Sequence, residues 1–519
     1  MQPIQLVQFL FVGLFGLNAY ASEPVVHTQN GEVRGVLQGK VESFKALPFA
    51  APPIGKLRWM PPQEPADWTG KTRDASYFSA KCPQKRPDDV FIGNEDCLYL
   101  NVFKPSGAEA LPVIVFIHGG SNVSGSASLT SRNVVAVYDG SRLAQNGNVV
   151  VVTLNYRLGT LGFIGHPKLS ATSGYGGSGN YAYMDQIQAL KWVQRNIAAF
   201  GGDPSNVTLF GHSAGAKSVW VHMSSPLSGG LFHRAIVHSG VREGAQSLRF
   251  AEQNGKMLAD TLNCSNASDE LELACMRDKS ANEVVKAMPS GPGTGLYAAV
   301  VDGKVLTDSP INIMRSGHHH HLPILEGNVQ EEMSELGYEA SKNIHTEDDY
   351  MNAVEEAVRN GSMPGASATD LLRLYPIDEY PSPRQTYNAI FADKNYLCSS
   401  RKVLRALSTQ QSEFVGRFFY THVYSDGPYV KFGASHGFEL LFIFDTLSGV
   451  EFSPTADEAA LVKVFQDTWS EFARTGTAPR LSWKRYDANN DNYEIFDTAI
   501  SEGDHLRTKQ CDFWDSLGN

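Results

Sequence analysis

The first 22 residues carry no charged side chain, and nowhere else in the 519 does an apolar run approach the roughly 20 residues that a membrane-spanning helix needs. A helical membrane span is therefore not expected beyond that leader. Lys and Arg never run longer than two, and 44 of them stand against 55 Asp and Glu, a net charge of −11. An acidic chain without a basic tract repels phosphate backbones, so nucleic acid is not an expected partner. Cysteine is scarce at six, and no two fall in a C-x-x-C pair, which argues against a zinc site. Internal repeats and low-complexity linkers are missing as well. With 42 % hydrophobic, 19 % charged and 10 % aromatic residues, the chain can bury a large core and is not a disordered or fibrous polymer.

The uncharged leader has its own meaning. Leu6 to Leu17 is apolar but for Gln8, Ala19-Tyr20-Ala21 offers a signal-peptidase site, and Glu23-Pro24 breaks the segment. The expectation is a signal peptide over residues 1–21, cut after Ala21, and a single domain over 22–519 that is secreted or periplasmic. Only the amino terminus supplies positive charge to the leader. In such a compartment an even number of cysteines reads as disulfides. Cys82 with Cys97 and Cys264 with Cys275 close short loops, which leaves Cys398 with Cys511. Chain-entropy arguments assign the short loops about 3 kcal/mol each and the long one nearer 5. Five N-x-S/T sequons, at Asn122, Asn206, Asn263, Asn266 and Asn360, matter only in a host that glycosylates.

Along the mature chain, short β-rich runs alternate with helical patterns. Leu111 to Ile117 and Val149 to Leu154 are continuous apolar runs of the kind buried on both faces of a parallel sheet. Asp185 to Phe200 lines Ile187, Leu190, Val193 and Ile197 along one helical face and ends at Gly201-Gly202. Val207 to Phe210 reads as a strand, followed by a glycine-flanked turn and a helix from Ala214. This order predicts a doubly wound α/β sheet. Residues 243–365 are more polar and helical and read as an insertion over the sheet's edge.

The turn between strand and helix is Gly211-His212-Ser213-Ala214-Gly215, a G-x-S-x-G in the context that a nucleophile elbow requires. Glycines flank the serine where side chains would strike neighbouring backbone, and the helix behind it aims N–H groups at a developing oxyanion. A serine hydroxyl needs a base and an orienting carboxylate, expected downstream in the order Ser, acid, His. His436 sits in a glycine-rich loop before an apolar helical stretch, which suits a presented side chain, whereas His345, His422 and His505 lack such a loop. For the acid, the strand-like run Leu322 to Leu325 leads into Glu331 and Glu332, between which local chemistry does not choose.

These residues resemble the type-B carboxylesterases, the α/β hydrolases that include cholinesterases and some lipases. The resemblance runs from Phe44-Lys-Ala-Leu-Pro-Phe-Ala through Glu95-Asp-Cys97, Asn155-Tyr-Arg157-Leu-Gly159, Asp185-Gln186, Phe200-Gly-Gly-Asp203 and the serine turn to His436-Gly437-Phe-Glu439, Trp469 to Gly476 and Cys511-Asp-Phe-Trp514. It implies an α/β-hydrolase fold: a large, mostly parallel central sheet flanked by helices, with helical insertions forming an active-site gorge. It also implies Ser213 as nucleophile, His436 as base and Glu332 as acid, the last because the family's acid lies five residues after the glycine that here is Gly327. Met333 departs from the family's glycine, and Glu331 stands in reserve. The family's three disulfides match the pairings above. The oxyanion hole falls on Gly119, Gly120 and Ser121, with Ala214 after the nucleophile. Ser121 replaces a third glycine, Asn122 replaces an aromatic beside the acyl pocket, and His212 replaces a Glu and is read as a buried, hydrogen-bonded ring.

The resemblance thus implies a secreted serine carboxylesterase acting on a small-molecule ester, with no cofactor and no metal. The loop between Cys82 and Cys97 contains no tryptophan, which argues against the quaternary-ammonium recognition of cholinesterases, and it is short for a lipase lid. Esters of modest length or bulky soluble esters are favoured, and Asn122 hints at a polar acyl side. A lipase for longer chains, an inactive binding module of the same fold, and metal chelation by His318 to His321 are the rival readings, the histidine tract being read first as a solvated loop.

Overall fold

A computed structural model describes residues 23–130, 136–241, 243–266, 268–289, 295–450, 452–478 and 483–518, so the leader and its cleavage site lie outside the described residues. Eleven strands form the main sheet: β1 (Val36–Gln38), β2 (Val41–Pro48), β3 (Tyr99–Pro105), β4 (Leu111–Ile117), β5 (Val150–Leu154), β6 (Gly202–His212), β7 (Arg234–His238), β8 (Ile324–Val329), β9 (Val415–Tyr420), β10 (Tyr493–Phe496) and β11 (Ser501–Gly503). Their spatial order is β11-β10-β9-β8-β7-β6-β4-β5-β3-β2-β1. Strands β4 to β10 pair in parallel, and the antiparallel pairings lie at the two ends.

The apolar runs are continuous because both sheet faces are covered. Along β4, Val113, Val115 and Ile117 enter one core, while Ile114 and Phe116 enter the other. Helices α1 (Tyr181–Asn196) and α2 (Ala214–Ser224) cover the first face, and α3 (Ala456–Thr475) covers the second with Phe465, Trp469 and Phe472. Helix α1 starts earlier than its apolar stripe suggests, since Asn180 just before it bonds the Val300 backbone in both directions. The segment 243–365 is not wholly peripheral: β8 lies inside it and sits between β7 and β9 in the middle of the sheet. All three expected disulfides are formed, Cys82–Cys97, Cys264–Cys275 and Cys398–Cys511. Among the described residues no helix is long and apolar enough to cross a membrane.

Chain order reverses between β4 and β6, which are neighbours in the sheet although β5 lies between them in sequence. The crevice at the carboxyl ends of two such strands is where open α/β sheets place their chemistry. Two buried ion pairs brace the approach to it. Arg157, in the loop after β5, grips Asp185 of α1 through Nε at 2.8 Å and Nη2 at 2.7 Å. Arg58 grips Glu95 in the same forked manner, tying the first disulfide loop down.

Several buried ionisable groups make stability depend on pH. Burial pushes the Glu326 carboxyl up to about 7 against the attraction of Arg417, and burial with the nearby Glu332 pushes Glu439 up to about 8. A carboxyl whose folded pKa is raised loses stabilisation as pH rises through the window between its ordinary and its folded value. Burial holds the imidazoles of His118 and His222 down, to about 4 and about 3. Such groups lose stabilisation as pH falls below 6.5. The thermal midpoint should therefore fall between pH 6.5 and about 8, and Glu439→Gln should flatten that decline in scanning calorimetry.

Candidate active site

Strand β6 turns into α2 so sharply that neither flanking glycine has room for a side chain. A Cβ on Gly211 would lie 2.2 Å from the Gly215 carbonyl oxygen, and one on Gly215 would lie 2.0 Å from that of Ile117, at the end of β4. Ser213 sits between them at φ 58° and ψ −119°, outside the regions favoured by L-residues, a conformation that costs on the order of 1–3 kcal/mol. Its N–H is anchored to the His238 carbonyl of β7 at 2.9 Å, and its carbonyl accepts from Lys217 N–H. The serine thus crowns the first turn of α2, against Gly119 at the end of β4: a Cβ on Gly119 would come within 2.8 Å of Ser213 Cβ.

The loop after β4 runs through Gly119, Gly120 and Ser121. Gly120 has φ 107°, Ser121 φ 56° and Asn122 φ 62°, so two non-glycine residues hold left-handed backbone here. The backbone N–H groups of Gly120, Ser121 and Ala214 have no acceptor among the described residues. The loop is braced from several sides: the His118 ring stacks on Tyr156 at 4.5 Å, and Tyr156 Oη donates to the His118 carbonyl. Gln84, inside the Cys82–Cys97 loop, donates to the Gly125 carbonyl and accepts the Gly125 N–H, each at 2.9 Å. The Asn122 side chain is buried: its Nδ2 donates to the Tyr297 carbonyl at 2.8 Å, while its Oδ1 has no partner among the described residues.

Downstream, His436 and Glu332 come together. His436 Nδ1 lies 2.6 Å from Glu332 Oε2, while Glu332 Oε1 accepts from Val329 N–H at 3.1 Å and Asn328 Nδ2 at 3.2 Å. A carboxylate so supplied with donors fixes the imidazole proton on Nδ1 and leaves the Nε2 lone pair free. His436 Nε2 is buried and has no partner among the described residues, Ser213 Oγ included. Such links often tighten only in the substrate complex. Glu331, the reserve acid, makes no contact with the imidazole; its carboxylate takes the Ala434 N–H at 2.6 Å. His422 is held between Asp497 and Glu458, away from this pair.

The His212 ring packs against that of His436, centroids 4.5 Å apart. It is buried as expected, with Gly119 and Gly437 close against the ring, but its Nε2 has no hydrogen-bond partner among the described residues. Burial first, then the rings of His436 and His238, holds it well below the ordinary imidazole range and therefore neutral. His238 accepts from Trp469 Nε1 on Nε2 and donates its Nδ1–H to Glu439 Oε1, an arrangement that periodicity could not reveal. In the tract His318 to His321 each ring holds a protein partner: Ser316, Gln411, the Ser225 carbonyl and the Gly317 carbonyl in turn. Among the described residues no three His, Cys, Asp or Glu side chains form a group that could hold a metal ion.

Comparison with known proteins places this geometry in a wide context. The profile described as the carboxylesterase family matches residues 22–514. A fumonisin B1 esterase of Sphingopyxis macrogoltabida is 33 % identical, over 93 % of this chain and 88 % of its own. A cholinesterase of Mus musculus is 31 % identical, over 96 % of this chain and 88 % of its own. Among solved structures, a PNB esterase superposes with a TM-score of 0.78 at 29 % identity, covering 95 % of this chain and all of that one.

The packing at the serine turn yields a direct test. Gly215→Ala should lose about 1–3 kcal/mol of stability in urea unfolding through the forced shift against Ile117. Gly244→Ala, whose Cβ meets nothing within 4 Å, should stay within about 0.5 kcal/mol of the parent.

Proposed function

We propose, from the premise that this chain belongs to the carboxylesterase family and is a carboxylic ester hydrolase, that Ser213, His436 and Glu332 form its triad. The observation that carries the reading is the 2.6 Å contact of Glu332 with His436, which leaves Nε2 free beside the turn that presents Ser213. As Ser213 Oγ attacks the ester carbonyl carbon, His436 Nε2 takes the hydroxyl proton. The oxyanion accepts N–H groups from Gly120, Ser121 and Ala214, aided by the positive end of α2. Glu332 stabilises the imidazolium, which then gives its proton to the departing alcohol. Water repeats the sequence on the acyl-enzyme, releasing the acid and restoring Ser213. These steps call on no cofactor.

The substrate is a small-molecule ester of modest chain length or a bulky soluble ester. The tryptophan-free loop between Cys82 and Cys97 supplies no ring for a quaternary ammonium. Export is part of the same reading, supported by the uncharged apolar leader and by three disulfides in a chain without free cysteine among the described residues.

Release of p-nitrophenol from acetate, butyrate and longer esters tests the proposal. The parent should turn over the shorter esters best. Ser213→Ala should reduce kcat by about 10⁴-fold or more, and Glu332→Gln by about 10³-fold or more, with folding intact by circular dichroism. Undiminished turnover by Ser213→Ala would remove the serine from the mechanism.

A further inference from the structure

The acid and the histidine of the site stand on separate loops, 104 residues apart in sequence, and their 2.6 Å contact holds only if the two loops are fixed to each other. The stitching is done by the residue beside the acid. Glu331 N–H donates to the Ala434 carbonyl at 3.0 Å, and Glu331 and Ser435 form an isolated parallel bridge. The Glu331 side chain then reaches back, with Oε2 accepting the Ala434 N–H at 2.6 Å and Oε1 accepting from Gln385 Nε2 at 3.3 Å. A third stitch runs from Glu335 N–H to Ser435 Oγ at 3.1 Å. Ala434 and Ser435, the two residues before His436, are fully buried.

The neighbouring glycine is shaped around this carboxylate. Gly433 has φ 66°, and a Cβ there would overlap the Glu331 carboxylate, so the backbone comes close enough for the clamp only because the side chain is absent. Burial raises the Glu331 carboxyl above its ordinary range while the Ala434 N–H opposes that shift. A half-buried carboxyl is thus spent on one backbone donor of a loop.

We propose that Glu331 is a positioning residue for ester hydrolysis: its side chain clamps the Gly433–His436 loop so that His436 meets both Glu332 and Ser213. Adjacent glutamates divide the work, Glu332 holding the imidazole and Glu331 holding the backbone that carries it. This rests on the triad reading above, and the clamp itself requires an acceptor at the right reach, not a charge.

The test compares three full-length variants on p-nitrophenyl butyrate and by low-field proton NMR of the hydrogen bond at His436 Nδ1. Glu331→Gln keeps an acceptor oxygen at the same reach and should keep kcat within about threefold of the parent. Glu331→Asp keeps the charge but withdraws the oxygen by one methylene, and Glu331→Ala removes it. Both should lower kcat by about 10- to 100-fold with KM within about twofold, and both should broaden or lose the low-field resonance. If Glu331→Ala does not fold, the Asp and Gln variants still decide. Parent-like kcat in Glu331→Asp with a damaged Glu331→Gln would overturn the clamp in favour of a charge effect. Parent-like kcat and resonance in every variant would overturn it outright. Should the parent hydrolyse no ester, the triad reading fails on its own, while loss of the resonance in Glu331→Asp would still support the clamp.

Discussion

The close approach of β6, α2 and β4 governs the architecture of the site. Gly215 lies so near the Ile117 carbonyl that the first turn of α2 is pressed against the end of β4, and this contact brings the serine turn and the Gly119–Ser121 loop into register. A bulkier residue at Gly211 would push the end of β6 off the first turn of α2, and one at Gly215 would push that turn off the end of β4. The strained backbone of Ser213 is tolerated because its N–H is tied to β7 and its carbonyl to the helix it begins. The surrounding sheet, buried on both faces, is stiff enough to hold that strain.

Behind the turn the protein assembles neutral groups. His118, His212, His222 and His238 all lie in burial that lowers imidazole basicity, and Glu439 is a carboxyl raised by the same burial. The tautomer of His238 follows from Trp469, whose indole can only donate. The His212 ring packs against His436 with its own buried Nε2 unpartnered among the described residues.

Much of this was legible from residues alone, for reasons that are local. Leu111 to Ile117 has no alternation because both faces are covered, and the glycines at 211 and 215 announce a turn without room. His436 is readable from its glycine-rich loop, whereas only the family resemblance, by its spacing from Gly327, singled out Glu332. What escaped notice depends on contacts between distant parts of the chain. Glu331 and Glu332 look alike in sequence, and only the Ala434 backbone, 103 residues away, separates their surroundings. The central place of β8 was hidden by polar helices on either side of it. Nor could the sequence show that Asn122 Nδ2 is tied to the Tyr297 carbonyl, 175 residues on.

The two-way clasp of Gln84 on Gly125 joins the Cys82–Cys97 loop to the loop that bears Gly119, Gly120 and Ser121. For an engineer, that loop is therefore a poor place to retune substrate preference in isolation. Grafting a longer or more aromatic version between the two cysteines also changes the tension on the backbone proposed to bind the oxyanion, so selectivity and turnover would be inherited together. Rewiring would have to begin by preserving one glutamine.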